Sequence, residues 1–228
     1  MVNGKISNIN RLIYYITYTM NNYYIENYKI NPTPSHHNDT DFEDQYQKEV
    51  YTFCSEYMKK NNFNTVIDIG CGSGYKLIKY LGQYNTIGID TEPCYSMLCN
   101  KYPDRNWKLS GEIEKNFKDY PEIKTCDMII CSDVIEHIID PDTLIDYLLS
   151  FNSKYYIIST PCRYALCNNP SFGNYFKNSW NGPPKNSCHV REWTMDEFKK
   201  YISNKFNILE SFYCSDQPEC QYHLLTKK

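Results

Sequence analysis

The sequence predicts an α/β fold: a doubly wound sheet of seven strands, closed by a C-terminal antiparallel hairpin and preceded by an N-terminal helical arm. Three observations predict it. The run Thr65-Val66-Ile67-Asp68-Ile69 is apolar and β-branched, and it breaks into Gly70-Cys71-Gly72-Ser73-Gly74, as a buried parallel strand does on turning into a helix. Strand-like and helix-like segments then alternate as far as residue 159, which calls for parallel strands joined by crossovers. Two further strand-like segments, 206–213 and 221–226, flank the turn Ser215-Asp216-Gln217-Pro218-Glu219 closely enough to form a hairpin.

Taken in order, residues 1–30 are rich in Tyr and Asn, with Ile9, Leu12, Ile13, Ile16 and Met20 spaced to line one side of a helix. This arm is free to pack on the domain, cover its site or pair two subunits as a homodimer. Asn31-Pro32-Thr33-Pro34-Ser35 breaks it, because each proline turns its predecessor away from helical geometry, so 1–40 reads as arm plus linker and 41–228 as the main domain. Phe42, Tyr46, Val50, Phe53 and Tyr57 recur every three or four residues, predicting a helix from residue 42. Strands are predicted at 85–90, 106–109, 127–131 and 155–159, and helices at 75–81, 93–101, 141–151 and 195–202. Between 161 and 193 lies an irregular stretch too long for a mere connection, which marks it as a substrate loop.

Bulk properties bound the function. A chain of 228 residues, 41% hydrophobic and 22% charged, suits one soluble core, and a net charge of −3 gives no general attraction to nucleic acid. The eleven cysteines are odd in number, contain no C-x-x-C pair and fall in core-like segments, so reduced thiols are expected rather than disulfides or a zinc site. Residues 12–20 are the one candidate for a targeting segment, but threonines and tyrosines dilute them, and a cytoplasmic protein with no membrane partner is expected.

The glycines choose the ligand. A dinucleotide fingerprint counted from Gly70 requires glycine at position 75, where Tyr75 stands, so an NAD-dependent oxidoreductase is disfavoured. Instead Asp68 precedes alternating Gly70, Gly72 and Gly74, and Asp90 ends the next strand at the place where a carboxylate meets ribose hydroxyls. This D-x-G-x-G-x-G pattern, with its spaced partners, resembles the class I S-adenosylmethionine-dependent methyltransferases, a Rossmann-like superfamily, and within it the type 11/23-like small-molecule and sugar O-methyltransferases. The resemblance covers roughly residues 42–228. It implies S-adenosyl-L-methionine as cofactor, with Asp68 near the ammonium, Gly70, Cys71, Gly72 and Gly74 near the methionine part, and Asp90 and Thr91 at the ribose. It further implies Glu112 and Ile113 at the adenine, and Ser132 beside the cofactor. Plainer readings stand beside these: Asp90 as a solvated strand end and Asp68 as a helix cap.

Two clusters are candidates for the chemistry. Asp133-Val134-Ile135-Glu136-His137 follows the fourth strand and resembles a segment that holds a divalent cation in quinone O-methyltransferases. A cation at Asp133, Glu136 and His137 is thus compatible with the residues but not expected, and Asp133 and His137 are candidate active-site groups. His189-Val190-Arg191-Glu192-Trp193, with Thr160-Pro161-Cys162-Arg163, resembles segments that bracket the acceptor in sugar-modifying methyltransferases. His189 is a candidate base, and Arg163 and Arg191 are candidate phosphate ligands on a nucleotide sugar. Tyr175 and Trp180, interleaved with asparagines, suit a sugar's apolar faces and hydroxyl edges, although they equally suit loop packing. The expected activity is O-methylation of a small or glycan acceptor, most narrowly a deoxyhexose such as rhamnose. Quinone methylation, RNA methylation and a non-catalytic S-adenosylmethionine-binding scaffold are the alternatives.

Overall fold

The computed structural model describes residues 22–37, 39–111, 120–123 and 125–228. The predicted arm helix over 9–20 and the adenine positions Glu112 and Ile113 lie outside the described residues.

Among these residues the strands β1 (Thr65–Ile69), β2 (Asn85–Asp90), β3 (Asn106–Leu109), β4 (Thr125–Ser132), β5 (Asn152–Pro161), β6 (Phe206–Tyr213) and β7 (Cys220–Lys227) form one sheet, ordered β3-β2-β1-β4-β5-β7-β6. β3, β2, β1, β4 and β5 are parallel, and β7 pairs antiparallel with both β5 and β6. The expected Rossmann-like order is therefore present, with the second hairpin strand tucked inside the first.

Side-chain alternation sorts the helices onto two faces. Val66, Met128, Ile130, Ile157 and Leu224 pack with buried residues of α1 (Lys48–Lys60), α2 (Tyr75–Leu81) and α3 (Cys94–Lys101). Ile67, Ile69, Ile129, Tyr156 and Ile158 face α4 (Pro141–Ser150) and α6 (Met195–Ile202). Coverage on both sides explains why β1 reads as a nearly unbroken apolar run.

Two expectations change. α1 starts at Lys48, not at residue 42, because Gln47 takes the left-handed conformation (φ 58°) and the preceding groups are engaged by α2. The Phe42 carbonyl accepts from Ser73 Oγ, the Glu43 carbonyl accepts from Lys76 Nζ at 3.3 Å, and the Asp44 carboxylate accepts from Lys79 and Tyr80 at 2.6 Å each. Residues 31–35 are also no free tether: Asn31 N–H donates to Val190 O and Ser35 N–H to Ser187 O, at 2.8 and 2.9 Å, laying this segment along the substrate loop. The loop itself is partly ordered into α5 (Arg163–Asn168) and the short 3₁₀ turns Pro170–Phe172 and Lys177–Ser179.

Candidate active site

Gly70, Gly72 and Gly74 all carry positive φ, and the turn they make is held by hydrogen bonds to β2. Gly70 N–H donates to Ile89 O at 2.8 Å, and Asp90 Oδ2 accepts from Gly72 N–H at 2.6 Å while Oδ1 accepts from Thr91 N–H at 2.7 Å. A methyl on Gly70 would lie 2.3 Å from Val134 Cγ2, so the glycine permits the β4 loop to close on the turn. Cys71 is buried in the same turn.

Two residues before Gly70, Asp68 is wholly buried. Its Oδ2 accepts from Tyr51 Oη at 2.8 Å, and its Oδ1 has no hydrogen-bond partner among the described residues. A buried orphan carboxylate oxygen costs free energy unless a ligand meets it, so this atom fits the cationic amino-acid end of S-adenosylmethionine. Burial raises the Asp68 carboxyl to about 7 and the Asp90 carboxyl to about 6.

The second centre follows β4. Asp133 sits at φ 53°, an unusual conformation for a residue with a side chain, with Oδ2 accepting from Gln47 Nε2 and Oδ1 from Ser159 Oγ, both at 2.6 Å. Ser132, predicted at the cofactor, shares a 2.7 Å hydrogen bond with Ser159 Oγ. These contacts engage both Asp133 oxygens in holding strand ends and the α1 entry.

Glu136, His137 and His189 instead converge: one potential ligand atom from each lies within 4.8 Å of the other two. The loop is fixed on this group through its backbone, since Val190 N–H donates to Glu136 O at 2.7 Å. Glu136 is 1% exposed, with Oε2 accepting from Thr160 Oγ1 at 3.1 Å; burial and the neighbouring Asp133 charge push its carboxyl well above the usual range. His137 Nδ1 meets the Cys188 carbonyl at 2.8 Å, which assigns the proton to Nδ1 and leaves Nε2 with a lone pair. His189 Nδ1 donates to Glu192 Oε1 at 2.8 Å, so its Nε2 is an acceptor, and it takes a 2.9 Å hydrogen bond from Asn186 Nδ2. Burial first, then His189, pull the His137 imidazole down to about 3. One carboxylate and two imidazoles with their outer nitrogens anchored suit a divalent transition ion, or a hydroxyl that must lose a proton. The cation set weighed from the sequence is thus altered, with His189 in the place of Asp133. Sequence reasoning noted Glu192 within its motif but missed its part as the partner of His189.

The two arginines do not reach outward. Arg191 is fully buried, donating to the Ile138 and Ile139 carbonyls at 3.0 and 2.6 Å, with its guanidinium carbon 4.9 Å from the Tyr23 ring centre. Arg163, 3% exposed, stacks between Tyr28 and Trp180 at 4.6 and 4.8 Å and pairs with Glu197. These contacts fasten the loop to residues 22–30 and to α6, and they weigh against the phosphate-binding expectation for both arginines. Tyr175 and Trp180 remain exposed, at 60% and 42%.

A parallel Rossmann-like sheet with an antiparallel β7, a buried acid ahead of alternating glycines and an acid ending β2 define a class I S-adenosylmethionine-dependent methyltransferase. The chain belongs to the methyltransferase-domain family, which matches residues 39–204. Its cofactor is S-adenosylmethionine. No curated protein matches the chain. Among solved structures it is similar to the small RNA methyltransferase HEN1 (21% identity, TM-score 0.59, covering 85% of this chain but only 27% of that one). It is also similar to an S-adenosylmethionine-dependent methyltransferase from Clostridium acetobutylicum ATCC 824, at 19% identity and TM-score 0.58, covering 81% and 93% of the two chains. The N-methyltransferase NodS from Bradyrhizobium japonicum WM9, in complex with S-adenosyl-L-homocysteine, is similar at 13% identity and TM-score 0.55, covering 82% and 89%. At these identities the likeness is one of fold, and the chain spans about a quarter of HEN1. No helix among the described residues is long and apolar enough to cross a membrane.

Proposed function

We propose that this methyltransferase acts on a sugar hydroxyl, with Glu136, His137 and His189 forming the acceptor-side centre. The observation that carries the reading is the convergence of these three groups beside the glycine turn. Val134 touches Gly70, and Asp39, above Gly72, is only two residues along the chain from His37, whose ring stacks 5.3 Å from His137. Two residues span at most about 7 Å, so the centre and the cofactor cradle are neighbours.

Methyl transfer from a sulfonium is an in-line displacement that needs an aligned acceptor, and the cofactor supplies that activated methyl group. A hydroxyl is a poor nucleophile near neutral pH; His189 is the candidate base, its Nε2 exchanging the Asn186 amide for the hydroxyl proton, and a divalent ion, if held by Glu136 and His137, would lower the hydroxyl's pKa. Asp68, Gly70, Cys71, Gly72, Gly74, Asp90, Thr91 and Ser132 are assigned to the cofactor side. Asp133, Arg163 and Arg191 act by positioning, and Tyr175 and Trp180 offer faces to a sugar ring. A deoxyhexose in a glycan or nucleotide sugar is the first acceptor proposed, at a cytoplasmic site.

A second reading is an RNA acceptor, suggested by the similarity to the small RNA methyltransferase HEN1 and served by the same centre. Labelled methyl transfer to nucleotide sugars, glycans, quinones and short RNAs, each with chelator and with added Mg²⁺, Mn²⁺ or Co²⁺, tests both. Labelling of sugars supports the first reading; labelling of RNA alone replaces it with the second.

A further inference from the structure

Residues 31–37 and 39–47 form a strap between the substrate loop and the glycine turn. One end is tied to the substrate loop through Ser35 N–H and Ser187 O, and by the Cys188 thiol, which meets the His36 carbonyl at 3.9 Å. Midway, the His37 ring lies between His137 and Phe42, with centroids 5.3 and 5.9 Å away. The other end is tied to α2 through the Phe42, Glu43 and Asp44 contacts and to Asp133 through Gln47. Between these ties Asp39 lies directly over the glycine turn: a Cβ on Gly72 would stand 2.1 Å from Asp39 Oδ2.

This carboxylate is engaged by no hydrogen bond or ion pair among the described residues. The Lys76 charge acts on both Asp39 and Asp68, while its Nζ donates to the Glu43 carbonyl at 3.3 Å. Asp39 therefore joins Asp68, with its buried and unpartnered Oδ1, and Asp90 around one turn. Three acids about a glycine cradle repel one another and are relieved by a cation placed among them. Only Asp68 and Asp90 belong to the glycine motif.

We propose that Asp39 is a cofactor-binding residue carried by the strap, its carboxylate completing with Asp68 the contact to the α-ammonium group of S-adenosylmethionine. Asp90, with both oxygens on the backbone amides of Gly72 and Thr91, keeps its remaining lone pairs for the ribose. The strap, not the sheet, then supplies the upper wall of the amino-acid subsite.

Calorimetric titration of the full chain with S-adenosylhomocysteine and with 5′-methylthioadenosine, which lacks the amino-acid end, tests this. Asp39→Asn should weaken S-adenosylhomocysteine about tenfold, the effect of removing a charged hydrogen-bond partner, and leave methylthioadenosine within about twofold of the parent. Retained methylthioadenosine binding also reports that the cradle is folded. Unchanged S-adenosylhomocysteine affinity, or an equal loss of both ligands, overturns the assignment.

Discussion

Asp90 Oδ2 and the backbone N–H of Gly72 are 2.6 Å apart, so the carboxylate that ends β2 shapes the turn that follows β1. With Asp90 proposed at the ribose, replacing it should act twice, removing that contact and loosening the turn. Asp90→Ala should weaken S-adenosylhomocysteine binding by about 1.5–3 kcal/mol, the range for hydrogen bonds to charged groups. Equal calorimetric affinities for parent and variant would refute the ribose assignment.

Burial sets a pH dependence on the same side of the site. With the Asp68 and Asp90 carboxyls raised to about 7 and about 6, both are ionised only toward neutral pH. The ammonium and the ribose hydroxyls prefer the carboxylates, so cofactor affinity should fall as pH drops through 7 and then 6. The sign for stability is opposite. Folded-state values above the ordinary carboxylate value mean that the folded chain binds more protons, and cofactor-free stability declines as pH rises from about 4 to 7. Melting curves with and without S-adenosylhomocysteine should therefore diverge as pH rises, and a constant gap would contradict the link.

On the acceptor side, His189→Ala should lower turnover by about 10²–10⁴-fold, the usual contribution of a positioned base. Glu192→Gln, which keeps the shape but weakens the 2.8 Å tie to His189, should cost about 10–100-fold. Cofactor affinity should stay at the parent value in both. Loss of cofactor binding in step with turnover would move His189 out of the acceptor centre.

Gly70→Ala should destabilise the protein by about 1–3 kcal/mol from its φ of 77° alone, with a further cost where the methyl meets Val134. Each kcal/mol corresponds to a fall of about 2–4 °C in Tm for a chain of this size. Pairing it with Val134→Ala should recover the steric part and not the backbone part. A double variant no more stable than Gly70→Ala would show that Val134 is not the obstacle.

Arg191→Ala should destabilise the protein by about 1–3 kcal/mol, because it removes the donors to the Ile138 and Ile139 carbonyls and the cation over the Tyr23 ring. Chemical denaturation reads this directly. A stable variant with a raised KM would return Arg191 to substrate binding.

Much of this molecule is legible locally. α6 occupies the predicted residues 195–202 because Thr194 and Glu197 form a reciprocal capping box and Phe198, Tyr201 and Ile202 face inward. The glycine turn follows from its own residues. What periodicity misreads is settled by distant partners: residues 42–47 look helical until Ser73, Lys76 and Lys79 engage them. Arg163 and Arg191 look like anion ligands until the aromatic residues of 22–30 and the carbonyls after His137 enclose them. His189 joins Glu136 and His137 across some fifty residues of chain, and no spacing rule encodes that approach.

The antiparallel strand inside the hairpin has a consequence for assembly. β7 is synthesised after β6 yet lies between β6 and β5, so neither strand has its final neighbour until the chain has been made through residue 227. Until then β5 shows an open edge, from Tyr156 to Pro161, able to pair with any other extended chain. Pairing of β7 is what covers that edge, so a chain in which β7 has not yet paired is open to aggregation there.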